Sequence, residues 1–415
     1  MREGYKKTEV GVIPEDWEVK KISDISNTMS GGTPSRSKKN YYENGNIYWV
    51  KTGELVSKYI TETEERITKE GIENSSAKIV PKNSVIIAMY GATIGKLSIN
   101  KKEVATNQAC CSIMCNKEMM NYEYLYYCLD YNKGKLIDLG AGGAQPNISQ
   151  QIIRNFKIII PQLKEQEKIA EILSTVDSQI DDTEKLIEKS KELKKGLMQK
   201  LLTKGIGHRE FKKTEVGEIP VEWEVKSISS VSNTMSGGTP NRSKKHYYID
   251  GNISWVKTGE LGAKYIHDTE EKITELAINE SSAKLVPSYS VIIAMYGATI
   301  GKLSININEV TTNQACCSII CDKDILSYEY LYYYLDFNKD KLIALGAGGA
   351  QPNISQQIIR DFKITVPNVN EQEIIIQILS AIDNKVEKEQ NKKQKLEELK
   401  KGLMQQLLTG KIRTV

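Results

Sequence analysis

Apolar residues along this chain follow two patterns, and the pair of patterns occurs twice. From Lys164 to Leu202 there is no proline and a single glycine. In that stretch Ile169, Leu173, Val176, Ile180, Ile187, Leu193, Leu197 and Leu201 return mostly at steps of three and four, with a flaw between Thr183 and Ser190. Ile375, Leu379, Ile382, Val386, Leu396, Leu399, Leu403 and Leu407 repeat the pattern, interrupted at Glu389 and Lys393. This spacing predicts two long amphipathic helices with a coiled-coil seam. A helix from 164 to 202 would be roughly 58 Å long at ~1.5 Å per residue, more than the width of its own domain. It therefore needs a partner, and the second helix is the obvious one.

Ahead of each helix the pattern shortens. Ile47–Val50, Val85–Met89, Lys96–Ile99, Ala109–Met114 and Phe156–Ile160 are runs rich in Val, Ile, Tyr and Cys, bounded by Asn, Gly and Pro. They predict strands. Leu125, Tyr126 and Leu129 lie on one face of a packed helix over 121–132. The glycine-rich 140–147 segment reads as loop, followed by a short helix over Ile148–Ile153 with Asn147 as its cap.

The two halves are copies. Trp17 returns as Trp223, an offset of 206 that holds without a gap to the end of the helix. AMYGATIGKL at 88–97 recurs unchanged at 294–303, and GAGGAQPNISQQIIR at 140–154 recurs unchanged at 346–360. The repeat unit is thus a whole domain. The expected boundaries are a first globular domain at 1–162, a helix at 163–207, a second domain at 208–368 and a second helix at 369–415. Chain order makes the helices antiparallel. The expected fold is α+β: two mixed α/β domains separated by a long antiparallel two-helix coiled coil, a pseudo-twofold internal repeat. Near-identical modules suggest a target with two near-identical parts.

Composition narrows the class. The 415 residues are 40% hydrophobic and 27% charged, ordinary for a globular protein. No apolar run could cross a bilayer, and MREGYKKTEVG has no apolar signal core, so a cytoplasmic, membrane-free protein is expected. Seven cysteines, an odd number clustered in apolar runs, read as buried thiols. With three histidines and no CxxC pair, no metal site is expected. A net charge of +4 is compatible with nucleic acid.

Enzyme signatures fail on inspection. GATIGKL at 91–97 has three residues between its glycines and Leu after Lys, not the phosphate-loop spacing. PEDWEVK at 14–20 resembles a nuclease acidic cluster, but the second copy, Pro220 to Lys226, loses one acid. No catalytic residue is assigned. What remains is binding chemistry. GGTPSRSKK offers backbone amides and hydroxyls with Thr33, Arg36, Lys38 and Lys39, repeated as Thr239, Arg242, Lys244 and Lys245, a set suited to phosphates. Lys51 and Thr52, with Lys257 and Thr258, follow a tryptophan that reads as core. Tyr90, Thr93 and Lys96, with Tyr296, Thr299 and Lys302, occupy a turn that is either a contact or a plain strand connection. Gln145 and Gln351 could pair bidentately with adenine edges, or sit in a structural loop.

Together the GGTP loop, IYWVKTGEL, the GATIGK turn, the Gln145 loop and Pro161 followed by Glu165-Gln166-Glu167 resemble the DNA-specificity subunit of type I restriction–modification systems. The resemblance covers nearly the whole chain, twice. It implies that each domain is a target-recognition domain reading half of a bipartite site in double-stranded DNA. It implies that the helices set the spacing and dock two modification (methyltransferase) subunits. Restriction (endonuclease/translocase) subunits would complete the assembly. S-adenosylmethionine, ATP and Mg would then belong to those partners, with no cofactor on this chain. Family members usually carry two dissimilar recognition domains; here the two are close copies. The stretch 194–202, repeated at 400–408, is expected to include partner-docking surface.

Overall fold

The computed structural model describes residues 3–141, 147–347 and 353–414. It divides into two compact units, residues 1–184 with 391–415, and residues 185–390.

Unit 1 begins with a hairpin of β1 (Tyr5–Thr8) and β2 (Gly11–Pro14) and continues through β3 (Glu18–Lys21), β4 (Ser26–Ser30), β5 (Ile47–Val50), β6 (Tyr59–Ile60) and β7 (Arg66–Ile67). β8 (Ile79–Val80), β9 (Val85–Ala88), β10 (Leu97–Asn100), β11 (Val104–Thr106), β12 (Cys110–Cys115) and β13 (Lys157–Ile160) follow. One sheet runs β4-β12-β9-β10-β6 and a second β7-β5-β11-β8, while β13 pairs with β3. β9 is central and buried along its whole length. Val85 and Ile87 join the core against the helices, and Ile86 and Ala88 join the core between the sheets. A strand covered on both faces reads as a continuous apolar run, as VIIA does.

The helix Tyr122–Tyr131 starts where Asn121 Oδ1 accepts from the amides of Glu123 and Tyr124 at 2.9 and 3.0 Å. Its run from Tyr124 to Leu129 is buried on every side, wider than the single face expected. The short helix after the glycine-rich loop spans Gln150–Asn155, two residues later than expected, and its cap is Ser149. Asn147 cannot cap it because its backbone bridges to Tyr90.

The first long helix spans Leu163–Lys204 and the second Val369–Leu407. Within unit 1 they pair antiparallel: Lys400 bonds Asp177 at 2.7 Å and Lys393 bonds Glu184 at 2.8 Å. Two of the interruptions in the seam are thereby explained. Thr183 is buried and returns its hydroxyl to the Gln179 carbonyl at 2.7 Å, while Lys393 lays its ammonium on Glu184. Unit 2 repeats unit 1 strand for strand, and Lys194 bonds Asp383 at 2.7 Å where unit 1 has Lys400 and Asp177. In the repeated 194–202 and 400–408 stretches, Met198, Leu201 and Leu202 are buried in the core of unit 2, and Met404, Leu407 and Leu408 in that of unit 1. Domain packing therefore accounts for the apolar half of that repeat. No helix among the described residues is long and apolar enough to cross a membrane.

The junction between domain and helix is polar. Glu165, 5% exposed, accepts the Trp17 indole N–H at 3.0 Å and the Arg413 guanidinium at 2.8 and 2.9 Å, and Arg413 also forks onto Asp16. Arg413→Ala should cost about 1–3 kcal/mol, because a buried carboxylate loses its counter-charge. Urea unfolding measures this, and adding Glu165→Gln should restore part of the loss. An unchanged midpoint in the single variant would remove Arg413 from the list of stabilising contacts.

Cys110, Cys111, Cys128, Cys316 and Cys317 are buried, and burial pushes each thiol up to about 12. Since the thiolate is the reactive form, these five should resist a thiol reagent at pH 8 in the native protein. All seven should react in denaturant. Rapid native labelling of any of the five contradicts the packing described.

Candidate nucleic-acid interface

Segments far apart in sequence meet at one rim of each domain. In unit 1 the Gly31 amide donates to the Cys110 carbonyl at 3.3 Å and the Gly32 amide to the Thr106 carbonyl at 2.9 Å. Side chains are excluded here: a Cβ on Gly31 would collide with Thr106, and one on Gly32 with Ser76. Trp49 is buried and donates its indole N–H to the Gly32 carbonyl at 3.1 Å. The Asn107 amide bonds the Val50 carbonyl at 3.0 Å, which holds the loop after β11 beside Lys51. The Met89 amide bonds the Ala109 carbonyl, and the Ile148 amide bonds the Met89 carbonyl, both at 2.8 Å. The GGTP loop, the 51–52 step, the 90–96 turn and the end of the glycine-rich loop are thus stitched together. In the turn, Gly91 and Gly95 sit at φ 81° and 75°, the left-handed region that favours glycine. Unit 2 repeats the stitching through Gly237, Gly238, Trp255, Asn313, Met295 and Ile354.

The cations named from sequence divide into two kinds. Arg36 forks onto Glu65 at 2.5 and 3.3 Å, with its guanidinium 4.6 Å from the Tyr42 ring and 5.0 Å from that of Trp49. Lys51 shares Glu65 at 2.9 Å and reaches Glu64 at 3.0 Å. The Arg36 hydrogen bond holds the Glu65 carboxyl below its ordinary range. Arg242 and Lys257 repeat this arrangement on Glu271 and Glu270. Lys38 donates to the Tyr41 hydroxyl at 2.8 Å, and Lys244 to that of Tyr247 at 2.6 Å. For these six, a phosphate contact would compete with a partner already held. Among the described residues, the ammonium groups of Lys39, Lys96, Lys245 and Lys302 have no hydrogen-bond or ion-pair partner; Lys39, Lys245 and Lys302 are exposed and Lys96 half-buried. Tyr90, Thr93, Thr52 and their copies Tyr296, Thr299 and Thr258 are half-buried at the rim. Gln145 and Gln351 lie outside the described residues.

Sequence reasoning missed three sets of residues. Glu64, Glu65, Glu270 and Glu271 neutralise the loops. Gln108 and Gln314, in the loop after β11 and its copy, accept from the hydroxyls of Thr33 and Thr239. Gln150 donates to the Thr28 carbonyl at 2.9 Å and accepts from Ser30 at 3.0 Å, tying the short helix to β4. The available signal was repetition: TEE at 63–65 and 269–271, and TNQACCSI at 106–113 and 312–319, are unchanged between copies.

A second cluster joins each domain to its helices. Lys58 donates to the Tyr127 hydroxyl and to Ser174, both at 2.7 Å, and stands 3.8 Å from Glu123 and from Asp177. Burial lowers its pKa against the pull of the two carboxylates. In unit 2, Lys264 meets Glu329, Tyr333 and Ser380 at 2.9, 3.0 and 3.1 Å. Among the described residues no group of His, Cys, Asp and Glu is placed to hold a metal ion.

Two domains of this fold, each with a loop rim at one edge and a helix pair packed on it, define a duplicated binding subunit. The chain belongs to the type I restriction–modification DNA-specificity family, whose domain model matches residues 14–194 and again 220–398. It is 30% identical over 425 residues to the MjaVIII specificity subunit of Methanocaldococcus jannaschii, covering 99% of this chain and 96% of that one. The EcoR124I/EcoR124II specificity subunit of Escherichia coli is 30% identical over 168 residues, 39% of this chain and 41% of that one. The fold is similar to the crystal structure of a type I S subunit from M. genitalium, with TM-score 0.62 and 14% identity over 94% of this chain and 96% of that chain. A structure from a study of type I complex assembly and conformational transition aligns with TM-score 0.58 and 17% identity over 96% and 99% of the two chains.

If the unpaired lysines meet DNA, replacing Lys39, Lys96, Lys245 and Lys302 by alanine should flatten the salt dependence of binding. The log–log slope should fall by up to about 3–4, at ~0.9 per phosphate contact. Thermal stability should change little, because no hydrogen bond or ion pair of these side chains is lost. A slope equal to that of the unaltered chain would place these lysines off the DNA.

Proposed function

We propose that each rim reads one half of a bipartite site in double-stranded DNA, and that the two half-sites are nearly identical and inverted, separated by unread bases. The observation that carries this reading is the gathering of four separate candidate segments into one rim, repeated in the second domain. Hydroxyls and lysines without a partner among the described residues on that rim are the chemistry of phosphate positioning, and exposed amide side chains supply base-edge readout. Nearly identical rims then read nearly identical bases. Substitutions such as Ser35/Asn241, Asn40/His246 and Tyr48/Ser254 allow a difference of one or two bases between the halves.

In this reading the chain selects DNA and performs no chemistry. Two modification subunits bind it, one at each helix–domain junction, and restriction subunits complete the assembly. S-adenosylmethionine, ATP and Mg act on those partners. The exposed polar face of 194–202 and 400–408, including Lys195 and Lys401, is the part of that repeat left for docking, since its apolar face is buried in each domain.

The test is methylome sequencing of cells that express this chain with its modification partner. The expected result is one motif with two matching, inverted half-sites around a fixed unread spacer. Unrelated half-sites, or direct repeats, would overturn the symmetric reading. Failure to retain any duplex even at low salt would overturn DNA binding altogether, and retention that does not weaken with added salt would overturn the phosphate contacts.

A further inference from the structure

The loop after β11 holds one exposed side chain on a rigid backbone. Val104–Thr106 and Cys110–Cys115 are buried strands over most of their length, and Gln108 between them is exposed. The turn under it is closed three times. The Asn107 amide bonds the Val50 carbonyl at 3.0 Å, the Cys110 amide bonds the Asn107 carbonyl at 3.1 Å, and the Ala109 amide bonds Asn107 Oδ1 at 3.2 Å. The side chain is oriented as well, since the Thr33 hydroxyl donates to Gln108 Oε1 at 2.5 Å. Thr33 is itself set by Gly32, whose amide is fixed on the Thr106 carbonyl at 2.9 Å.

The contrast with Gln150 shows what this arrangement leaves over. Gln150 is half-buried, and its amide is engaged at both ends, by Thr28 and by Ser30. Gln108 is exposed and makes only the Thr33 bond among the described residues, which leaves its two N–H donors and one lone pair of Oε1 without a protein partner there. Unit 2 repeats the arrangement with Gln314, Thr239, Asn313, Val256 and Cys316.

We propose that Gln108 and Gln314 each read one adenine, in the first and second half-site respectively, with Thr33 and Thr239 as positioning residues. A side-chain amide offers one N–H and one carbonyl oxygen side by side, matching adenine N7 and N6–H in the major groove. The threonine hydroxyl, donating to Oε1, fixes which end of the amide is the acceptor. One lone pair of Oε1 remains for the adenine amino group. Because the loop is closed and the side chain already oriented, little side-chain entropy is lost on contact. This inference rests on the DNA-reading function proposed above.

The experiment compares methylomes of cells carrying the modification partner with the unaltered chain, Gln108→Ala, Gln314→Ala or both. Each single variant should relax one A·T position in one half-site and leave the other half strict, and the double variant should relax both. Discrimination at that position should fall roughly 5- to 150-fold, the range for losing one bidentate base contact. Thr33→Val, which keeps the shape and removes the hydroxyl, should relax the same position less.

A second arm uses the unaltered chain with its partner and duplexes of the mapped site carrying 7-deazaadenine, which lacks N7, at one adenine at a time. One substitution per half-site should weaken binding of the unaltered chain. The same substitution should have no effect on the matching alanine variant. A strict motif in both single variants, or full affinity for every 7-deazaadenine duplex, overturns the inference while leaving the DNA-specificity reading in place. Loss of sequence-specific methylation by the unaltered chain would overturn that reading itself, and the inference with it. If an alanine variant does not fold, the 7-deazaadenine series on the unaltered chain decides.

Discussion

A carboxylate buried at the first turn of each long helix constrains the architecture around it. An acid there complements the helix dipole, but a buried charge must also be paired and hydrogen-bonded. Glu165 obtains its partners from Trp17 at the start of the domain and from Arg413 beyond the end of the other helix. Three distant segments are therefore fixed at one point. Unit 2 meets the same constraint with different residues: Glu371 accepts from the Trp223 indole at 2.9 Å, the Ile206 amide at 2.9 Å and His208 Nε2 at 2.9 Å. The backbone must pass close by in both cases. Gly205 and Gly410 take left-handed φ values of 63° and 70°, and a Cβ on either would press on the neighbouring tryptophan.

From that anchored junction a second polar cluster reaches into the domain. Asp177 takes the Tyr127 hydroxyl at 2.5 Å and Lys400 at 2.7 Å, and Tyr127 in turn receives Lys58 at 2.7 Å, just ahead of β6. Side chains from both long helices, from the helix Tyr122–Tyr131 and from the segment before β6 thus share one network. At the rim the logic differs. Arginine and lysine side chains nearest the tryptophan are neutralised within the domain and stiffen the loops, while Lys39 and Lys96 have no hydrogen-bond or ion-pair partner among the described residues. These pairs tie the rim's loops to the domain itself.

Much of the architecture was legible because it rests on local periodicity. The long helix expected over 164–202 spans Leu163–Lys204, and the five principal strands lie within about two residues of their expected bounds. Two-residue strands such as Tyr59–Ile60, Arg66–Ile67 and Ile79–Val80 carry no periodic signal and exist only through their sheet neighbours. The flawed heptads could not be interpreted from one helix alone, because Lys393 belongs at the seam only when Glu184 faces it. At the rim, residue chemistry was legible and pairing was not. Arg36 and Lys51 read as free cations since Glu65, their shared partner, lies well away in sequence and reaches them only by folding. The cap at Ser149 was missed for the same reason: Asn147, an equally good capping residue by type, is drawn into a bridge with Tyr90.

The partition of the chain carries a consequence for its synthesis. Unit 2 is one continuous stretch, 185–390, whereas unit 1 needs residues 391–414 to cover Trp17 and Glu165. On a ribosome adding ~5–20 residues per second, the first domain waits roughly 10–40 s with its helix seam and buried carboxylate uncovered. The domain made second is the one that can close first. The nascent chain thus exposes an apolar helix face longest at the segment made earliest, where a chaperone or an already folded partner subunit would find it.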